Sequence, residues 1–281
     1  MKKIAWITDT AAQLDDAFIQ KYDVHVLPLS VVFADGTYRE SIDLTQEEFY
    51  DKLRVTKVSP KTSQPAIGEM LALYEKLEAE GYDLAIALHL SSGLSGTIES
   101  ARSAAEMTGF KVYPIDSKIG SFPMVKMIEA GSGMLESGKE IEEVVAVLEE
   151  MTAKSHLSFI PSSLNQLHKS GRVSGTQNFL SNLLNIKLVI TFVDGVTVMK
   201  EKVRSIKRAK NNVTEALRAE MAAGTVTEVA AIHCNNARDA EIWKNELLQE
   251  FPDLTVEVVQ LSVCVGVHAG EGTTGLSWLA K

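Results

Sequence analysis

In the first 156 residues, short apolar runs alternate with stretches whose apolar residues recur at helical spacing. No other feature restricts the fold of this chain as much. Residues 4–7, 24–33, 83–90 and 111–115 read as strands, and residues 14–21, 46–54, 66–80 and 97–108 read as helices between them. Within residues 66–80, Met70, Leu73, Tyr74 and Leu77 share one helical face. Such alternation predicts an open, mostly parallel α/β sheet with flanking helices. Two further helices, over residues 121–135 and 141–153, complete an expected N-terminal domain of residues 1–156.

The pattern changes near residue 157. Residues 162–185 read as two short helices around a turn. Two β-rich runs then flank Asp194-Gly195, a dipeptide that favours the tight turn of a hairpin. Helices over residues 206–221 and 237–251 alternate with strands over residues 229–234 and 255–262. Residues 157–281 are therefore expected to form an α+β domain containing an antiparallel element. No Pro- or Gly-rich linker separates the halves, so they should pack firmly.

With 281 residues, 45% hydrophobic and 23% charged, the chain can bury a substantial core as a soluble globular protein. A net charge of −9 argues against a general nucleic-acid binder, which needs a basic footprint. Cys234 and Cys264 sit in apolar runs, form no CxxC and read as buried packing residues of a reduced, cytoplasmic protein. No stretch approaches the roughly 20 apolar residues of a membrane span, and the N-terminus is too short in apolar residues for a signal peptide. The histidines and cysteines show no metal-ligand spacing, so no metal is expected.

The strand at 83–90 runs into "SSGLSGT" (91–97), just ahead of a helix. The segment lacks the lysine of a P-loop. The literal GxGxxG at 270–275 lies too near the C-terminus for a βαβ unit to follow it. Ser95 sits in a near-match to a nucleophile elbow, and His89, His233 and His268 are candidate bases, so a serine hydrolase or acyl-transfer enzyme is one reading. A second reading is an anion site. Gly93 and Gly96 permit close approach, Ser92 and Ser95 offer hydroxyls, and the helix start offers unpaired N–H groups. A third is plain structure, with Ser95 as an N-cap and the glycines as turn residues. "TSQP" (62–65) poses the same alternatives, with Thr62 and Ser63 ahead of Pro65 in an expected first helical turn. Asp9, after the first strand, reads as a turn or capping residue rather than a catalytic one.

"TSQP", "SSGLSGT" and Ile115-Asp116-Ser117 together resemble the DegV family of bacterial fatty-acid-binding proteins, which includes the FakB subunits of fatty-acid kinase. Leu164-Asn165-Gln166-Leu167, Lys169-Ser170-Gly171-Arg172-Val173 and the terminal "VGVHAGEGTTG" follow in family order. The chain departs from the family pattern at Ser170, Val173, Leu188, Ala269 and Glu271. The resemblance implies a non-enzymatic carrier that holds one long-chain fatty acid in an apolar tunnel, without a cofactor. Thr62, Ser95, backbone N–H groups near Gly96, and His268 match the residues that hold the carboxylate. Arg172 and Arg204 match residues that meet a FakA-type kinase subunit, where the acid is converted to an acyl-phosphate. Ile98, Phe159 and Leu183 are candidate tunnel walls, with core packing as their plainer role.

Between Lys200 and Lys210 the negative balance inverts, with six basic residues against Glu201. Lys200, Lys202 and Arg204 are expected to share a strand face by period two. This patch suits a partner surface, or transient contact with an anionic membrane, or plain solvation.

Overall fold

A computed structural model describes residues 2–174 and 186–281. β1 (Ile4–Asp9) is followed by α1 (Asp16–Tyr22), which Asp15 caps by accepting from the Phe18 N–H. The apolar run at 24–33, expected as one strand, is two. β2 (Val24–Leu27) pairs parallel with β1, whereas β3 (Ser30–Phe33) belongs to another sheet. Pro28 lies between them and lacks the N–H that a continuous ladder would need. β4 (Gly36–Arg39) returns as a hairpin, and α2 (Gln46–Val55) starts from a capping box of Thr45 and Glu48.

β5 (Lys61–Ser63) pairs antiparallel with β3, placing Thr62 opposite Val31. Thr62 and Ser63 are thus strand residues. The helix expected to begin at their side, α3 (Ile67–Ala79), starts later, beyond Pro65 and from Ala66. β6 (Leu84–His89), α4 (Thr97–Thr108), β7 (Val112–Asp116), α5 (Phe122–Glu136) and α6 (Ile141–Ala153) complete the first half. Its main sheet, in the order β2-β1-β6-β7, is parallel throughout. The separate antiparallel sheet β4-β3-β5 has no counterpart in the sequence reading.

β8 (Ser155–Ile160) opens the second half, and the boundary expected after residue 156 runs inside this strand. α7 (Leu164–Ser170) is the first of the two short helices read over 162–185; the second lies outside the described residues. β9 (Val173–Ser174), β10 (Lys187–Val193), β11 (Val196–Val203), α8 (Ile206–Ala223), β12 (Glu228–His233), α9 (Ala237–Glu250), β13 (Thr255–Gln260), α10 (Val263–Ala269) and β14 (Thr274–Leu279) follow. Seven strands form one mixed sheet, β13-β12-β14-β8-β10-β11-β9. Asp194 (φ 47°) and Gly195 (φ 82°) are both left-handed, as the tight turn between β10 and β11 requires.

The basic face expected of β11 is interrupted by a register shift. Val189 pairs with Glu201 and Ile190 with Met199, so Lys200 is an extra, bulged residue that breaks the alternation. Arg204 lies beyond the end of the strand.

The two halves share a continuous apolar core. Trp6, Leu84 and Phe122 from the first half belong to one buried cluster with Phe159, Ile190, Ile232 and Val263 from the second. α5 lies at this junction, touching β6 on one side and β14 on the other. Gly131 of α5 is packed so tightly that a β-carbon would come within 2.6 Å of the Trp6 ring. Cys234 and Cys264 are buried free thiols, and burial pushes the Cys234 thiol up to about 12.

Gly275, the last glycine of the GxGxxG run, sits inside β14, where a β-carbon would meet the Ser158 carbonyl oxygen at 2.3 Å and the Phe159 Cα at 2.8 Å. Backbone atoms of a central strand yield little. Gly275→Ala should therefore lower stability by about 1–3 kcal/mol, read as a lower urea midpoint with an unchanged slope. An unchanged midpoint would contradict this packing.

Candidate functional site

The loops that leave β1, β6 and β7 gather at the carboxyl end of the parallel sheet, the usual ligand edge of such folds. Opposite them lie β5, α7, α10 and the β10–β11 hairpin, and a cavity of about 510 Å³ lies between. That volume falls within the roughly 300–1,000 Å³ of small-molecule sites. Leu29, Leu90, Leu157, Phe159, Phe192, Leu261 and Val265 supply apolar wall. Thr62, Gln64, Ser92, Ser95, Arg172 and His268 supply most of the polar lining.

The SSGLSGT loop divides its hydroxyls between two tasks. Ser91 Oγ donates to the Gly195 carbonyl at 2.5 Å and accepts from the Gly93 N–H, binding the loop to the hairpin tip. Ser92 Oγ donates to Asp116 at 2.5 Å, and Asp116 also accepts from the Ser92 and Lys118 N–H groups. Asp116 of the Ile-Asp-Ser run therefore fixes the loop from β7. Among the described residues the Ser95 hydroxyl has one hydrogen-bond partner, the neighbouring hydroxyl Thr97 Oγ1, at 2.8 Å. It is not the N-cap of α4. Gly96 takes that position without a side-chain cap bond.

Both glycines of the loop sit at close approaches, Gly93 against backbone and Gly96 against the end of a side chain. A β-carbon on Gly93 would lie 2.5 Å from the Gly195 carbonyl oxygen, and one on Gly96 would lie 2.5 Å from Gln64 Oε1. Gln64 thus presses the TSQP segment directly against SSGLSGT, and its amide donates to Ser100 Oγ at 2.6 Å. Nothing in the sequence marks Gln64 apart from its place in TSQP; its close fit to Gly96 emerges only in three dimensions.

His268 completes the polar cluster from the last turn of α10. Its Nε2 lies 2.8 Å from Thr62 Oγ1. Nδ1 is buried without a partner among the described residues. An orphaned acceptor costs less than an orphaned N–H, so the ring hydrogen belongs on Nε2, donating to Thr62. The Thr62 hydroxyl hydrogen is then free to point into the cavity. Burial, followed by the positive charge of Arg172, pushes the His268 pKa down to about 4.

The other candidate residues are dispersed. Arg172 is exposed, lines the cavity mouth and donates from Nη1 to the Ser170 carbonyl at 2.9 Å. Its own carbonyl accepts from Thr197 at the hairpin end of β11. Arg204 is exposed beyond the opposite end of that strand, roughly 20 Å along it at about 3.3 Å per residue. The structure therefore does not bring the two arginines together. Phe159 lines the cavity. Ile98 does not. It is fully buried on the face of α4 that carries Ala101, turned into the core. Leu183 lies outside the described residues.

None of the three histidines is hydrogen-bonded to Ser95. His89 Nδ1 pairs with Asp9 at 3.0 Å in a fully buried contact, and His233 Nδ1 accepts from the Asn236 N–H. Asp9 also caps the turn after β1 through the Ala11 N–H. A nucleophile needs its base within hydrogen-bond reach, and Ser95 has Thr97 instead. Among the described residues no group of histidine, cysteine or acidic side chains is arranged to hold a metal, and no helix is long and apolar enough to cross a membrane.

Comparison with known proteins covers the whole chain. The model of the DegV family, a family described as uncharacterised proteins, matches residues 3–281. DegV of Bacillus subtilis is 35% identical over 280 residues, 99% of each chain. Its crystal structure, described as that of a fatty-acid-binding protein, superposes over 100% of both chains with a TM-score of 0.90 at 34% identity. A fatty-acid-binding DegV-family protein of Streptococcus agalactiae gives a TM-score of 0.92 at 32% identity, again over 100% of both chains.

A histidine held near pKa 4 is neutral at pH 7, and its ordinary value is near 6.5. The lowered value means that stability is complete above about pH 6.5 and is lost as pH falls toward 4. Nitrogen-detected NMR of the His268 ring should show a neutral Nε2–H tautomer down to about pH 5. A titration midpoint near 6.5 would contradict the burial described.

Proposed function

The chain belongs to the DegV family, and from that membership we propose that it binds one long-chain fatty acid in the cavity between its sheets. The observation that carries this reading is the composition of the cavity, an apolar wall meeting one contiguous polar cluster. In this reading the carboxylate accepts from Thr62 and Ser95 hydroxyls and from N–H groups at the start of α4 near Gly96. His268 supports Thr62 from behind, passing its Nε2–H to the hydroxyl oxygen so that the hydroxyl hydrogen faces the ligand.

The energetics are those of a carrier. A 16-carbon chain such as that of palmitate buries about 14 methylenes at about 0.8 kcal/mol each, a gross gain near 11 kcal/mol before ordering costs. The tail thus supplies affinity. The polar cluster supplies register, since a carboxylate out of water without donors would cost several kcal/mol. Among the described residues no lysine lines the cavity and Arg172 at its mouth is the one cation, so a multiply charged phosphate lodged inside finds little compensation.

The bound acid would be presented to an ATP-dependent kinase of the FakA type. A carboxylate oxygen would attack the γ-phosphorus, ADP would leave, and the acyl-phosphate would remain on the carrier. Arg172, at the cavity mouth, suits the approach of phosphate by its planar fork. Arg204 and the basic residues around it offer a separate surface for the kinase or for anionic lipid.

Organic extraction of the purified protein should release a stoichiometric long-chain acid. Thr62→Ala and Ser95→Ala should each weaken binding of the acid about 10- to 150-fold, the range of one hydrogen bond to a charged group. Protein that yields no acid and binds none after delipidation would overturn the carrier. Ester hydrolysis abolished by Ser95→Ala would favour a hydrolase instead. Arg204→Ala should leave lipid content intact while weakening phosphorylation by the kinase; loss of bound lipid in that variant would contradict a docking role.

A further inference from the structure

Glu40 immediately follows β4 and is 2% exposed. Its Oε2 accepts from Thr10 Oγ1 and from Ser262 Oγ, each at 2.7 Å. Its Oε1 accepts from the Val263 N–H at 2.8 Å and from Gln13 Nε2 at 3.2 Å. The hydroxyl directions follow from their other partners. Thr10 Oγ1 already accepts from the Leu29 N–H at 3.1 Å, and Ser262 Oγ from the Cys264 N–H at 3.1 Å. Both hydroxyl hydrogens are therefore turned toward Glu40. Four donors meet two oxygens, two apiece, which is an environment for a carboxylate and not for a carboxylic acid. None of the four is a cation. Burial raises the pKa of Glu40 and the nearby negative charge of Asp9 adds to this, and the bonds with Thr10, Ser262 and Val263 offset only part of the rise; the four converging donors are what assign the charged form.

These donors come from separate parts of the molecule. Thr10 and Gln13 belong to the turn after β1, and Ser262 and Val263 form the start of α10. Glu40 directly follows the strand that pairs with β3, and β3 in turn pairs with β5, which carries Thr62. His268 lies in the last turn of α10. With only 7 residues, α10 is too short to hold its place by its own hydrogen bonds. We propose that Glu40 is the positioning residue of the head-group site, its carboxylate tying α10 to the sheet β4-β3-β5 and thereby setting the Thr62–His268 pair. This rests on the fatty-acid reading above and adds to it a residue that does not line the cavity.

Glu40→Gln keeps the shape and replaces one acceptor oxygen with a donor amide, so at least one of the converging donors meets another donor. The test compares palmitate with methyl palmitate, which keeps the tail and loses the carboxylate charge, on delipidated wild type and variant. Wild type should prefer the acid. In Glu40→Gln the acid should weaken about tenfold or more while the ester stays within about twofold, because only the head-group contacts move. Ser262→Ala removes a single donor and should produce the same acid-selective loss in smaller measure, even if Glu40→Gln fails to fold. Glu40→Asp, which keeps the charge, should recover part of the preference. Equal weakening of acid and ester in both Glu40→Gln and Ser262→Ala would reduce Glu40 to general packing and overturn the proposal, as would an unchanged preference. Wild type that binds neither compound would instead overturn the fatty-acid reading, and this inference with it.

Discussion

A buried negative charge without a cation beside it is among the hardest conditions a fold can meet, and at Glu40 it is met by hydrogen bonds alone. Each donor must arrive from a different direction, so satisfying the charge places the turn after β1, the edge of the small sheet and the start of α10 at once. The cost of a misplaced donor is high in a dry interior, and the arrangement is correspondingly rigid. The Thr62–His268 contact, between residues 206 positions apart in the chain, inherits its geometry from that constraint.

The same logic accounts for the SSGLSGT loop. Ser91 and Ser92 are consumed in holding the loop to the hairpin tip and to Asp116, and the glycines allow backbone and Gln64 to approach. Beyond these structural uses, Ser95 keeps a hydroxyl whose one hydrogen-bond partner among the described residues is another hydroxyl. A motif rich in one residue type is thus divided by geometry into scaffold and site. Arg172 and Arg204 are divided in the same manner, one at the mouth of the cavity and the other at the far end of β11.

Periodicity made the parallel sheet legible, since β1, β6 and β7 and the helices between them follow from apolar spacing along a contiguous chain. The hairpin was legible from Asp194-Gly195. What periodicity missed depends on non-local pairing. Pro28 breaks one apolar run into strands of two sheets, and β5 is only three residues long, too short to show alternation. β14 hides in a glycine-rich run whose Gly275 is demanded by the neighbouring strand β8. For the site, the hydroxyl motifs were visible as motifs. Neither the strand setting of Thr62 nor the helical setting of His268 could be read from composition. Glu40 gave no signal at all, because nothing in its neighbours marks an acidic residue as buried.

The cavity wall is assembled from both halves of the molecule, with Leu29 and Leu90 on one side and Phe159 and Phe192 on the other. A molecule lodged there acts as a strut between the two sheets, and removing it takes away contacts that neither half can replace alone. Occupancy and resistance to unfolding then become one thermodynamic quantity, rising together with the logarithm of free ligand concentration. In such a protein the empty form is the more perishable one, so a cell short of ligand would also hold less of the protein.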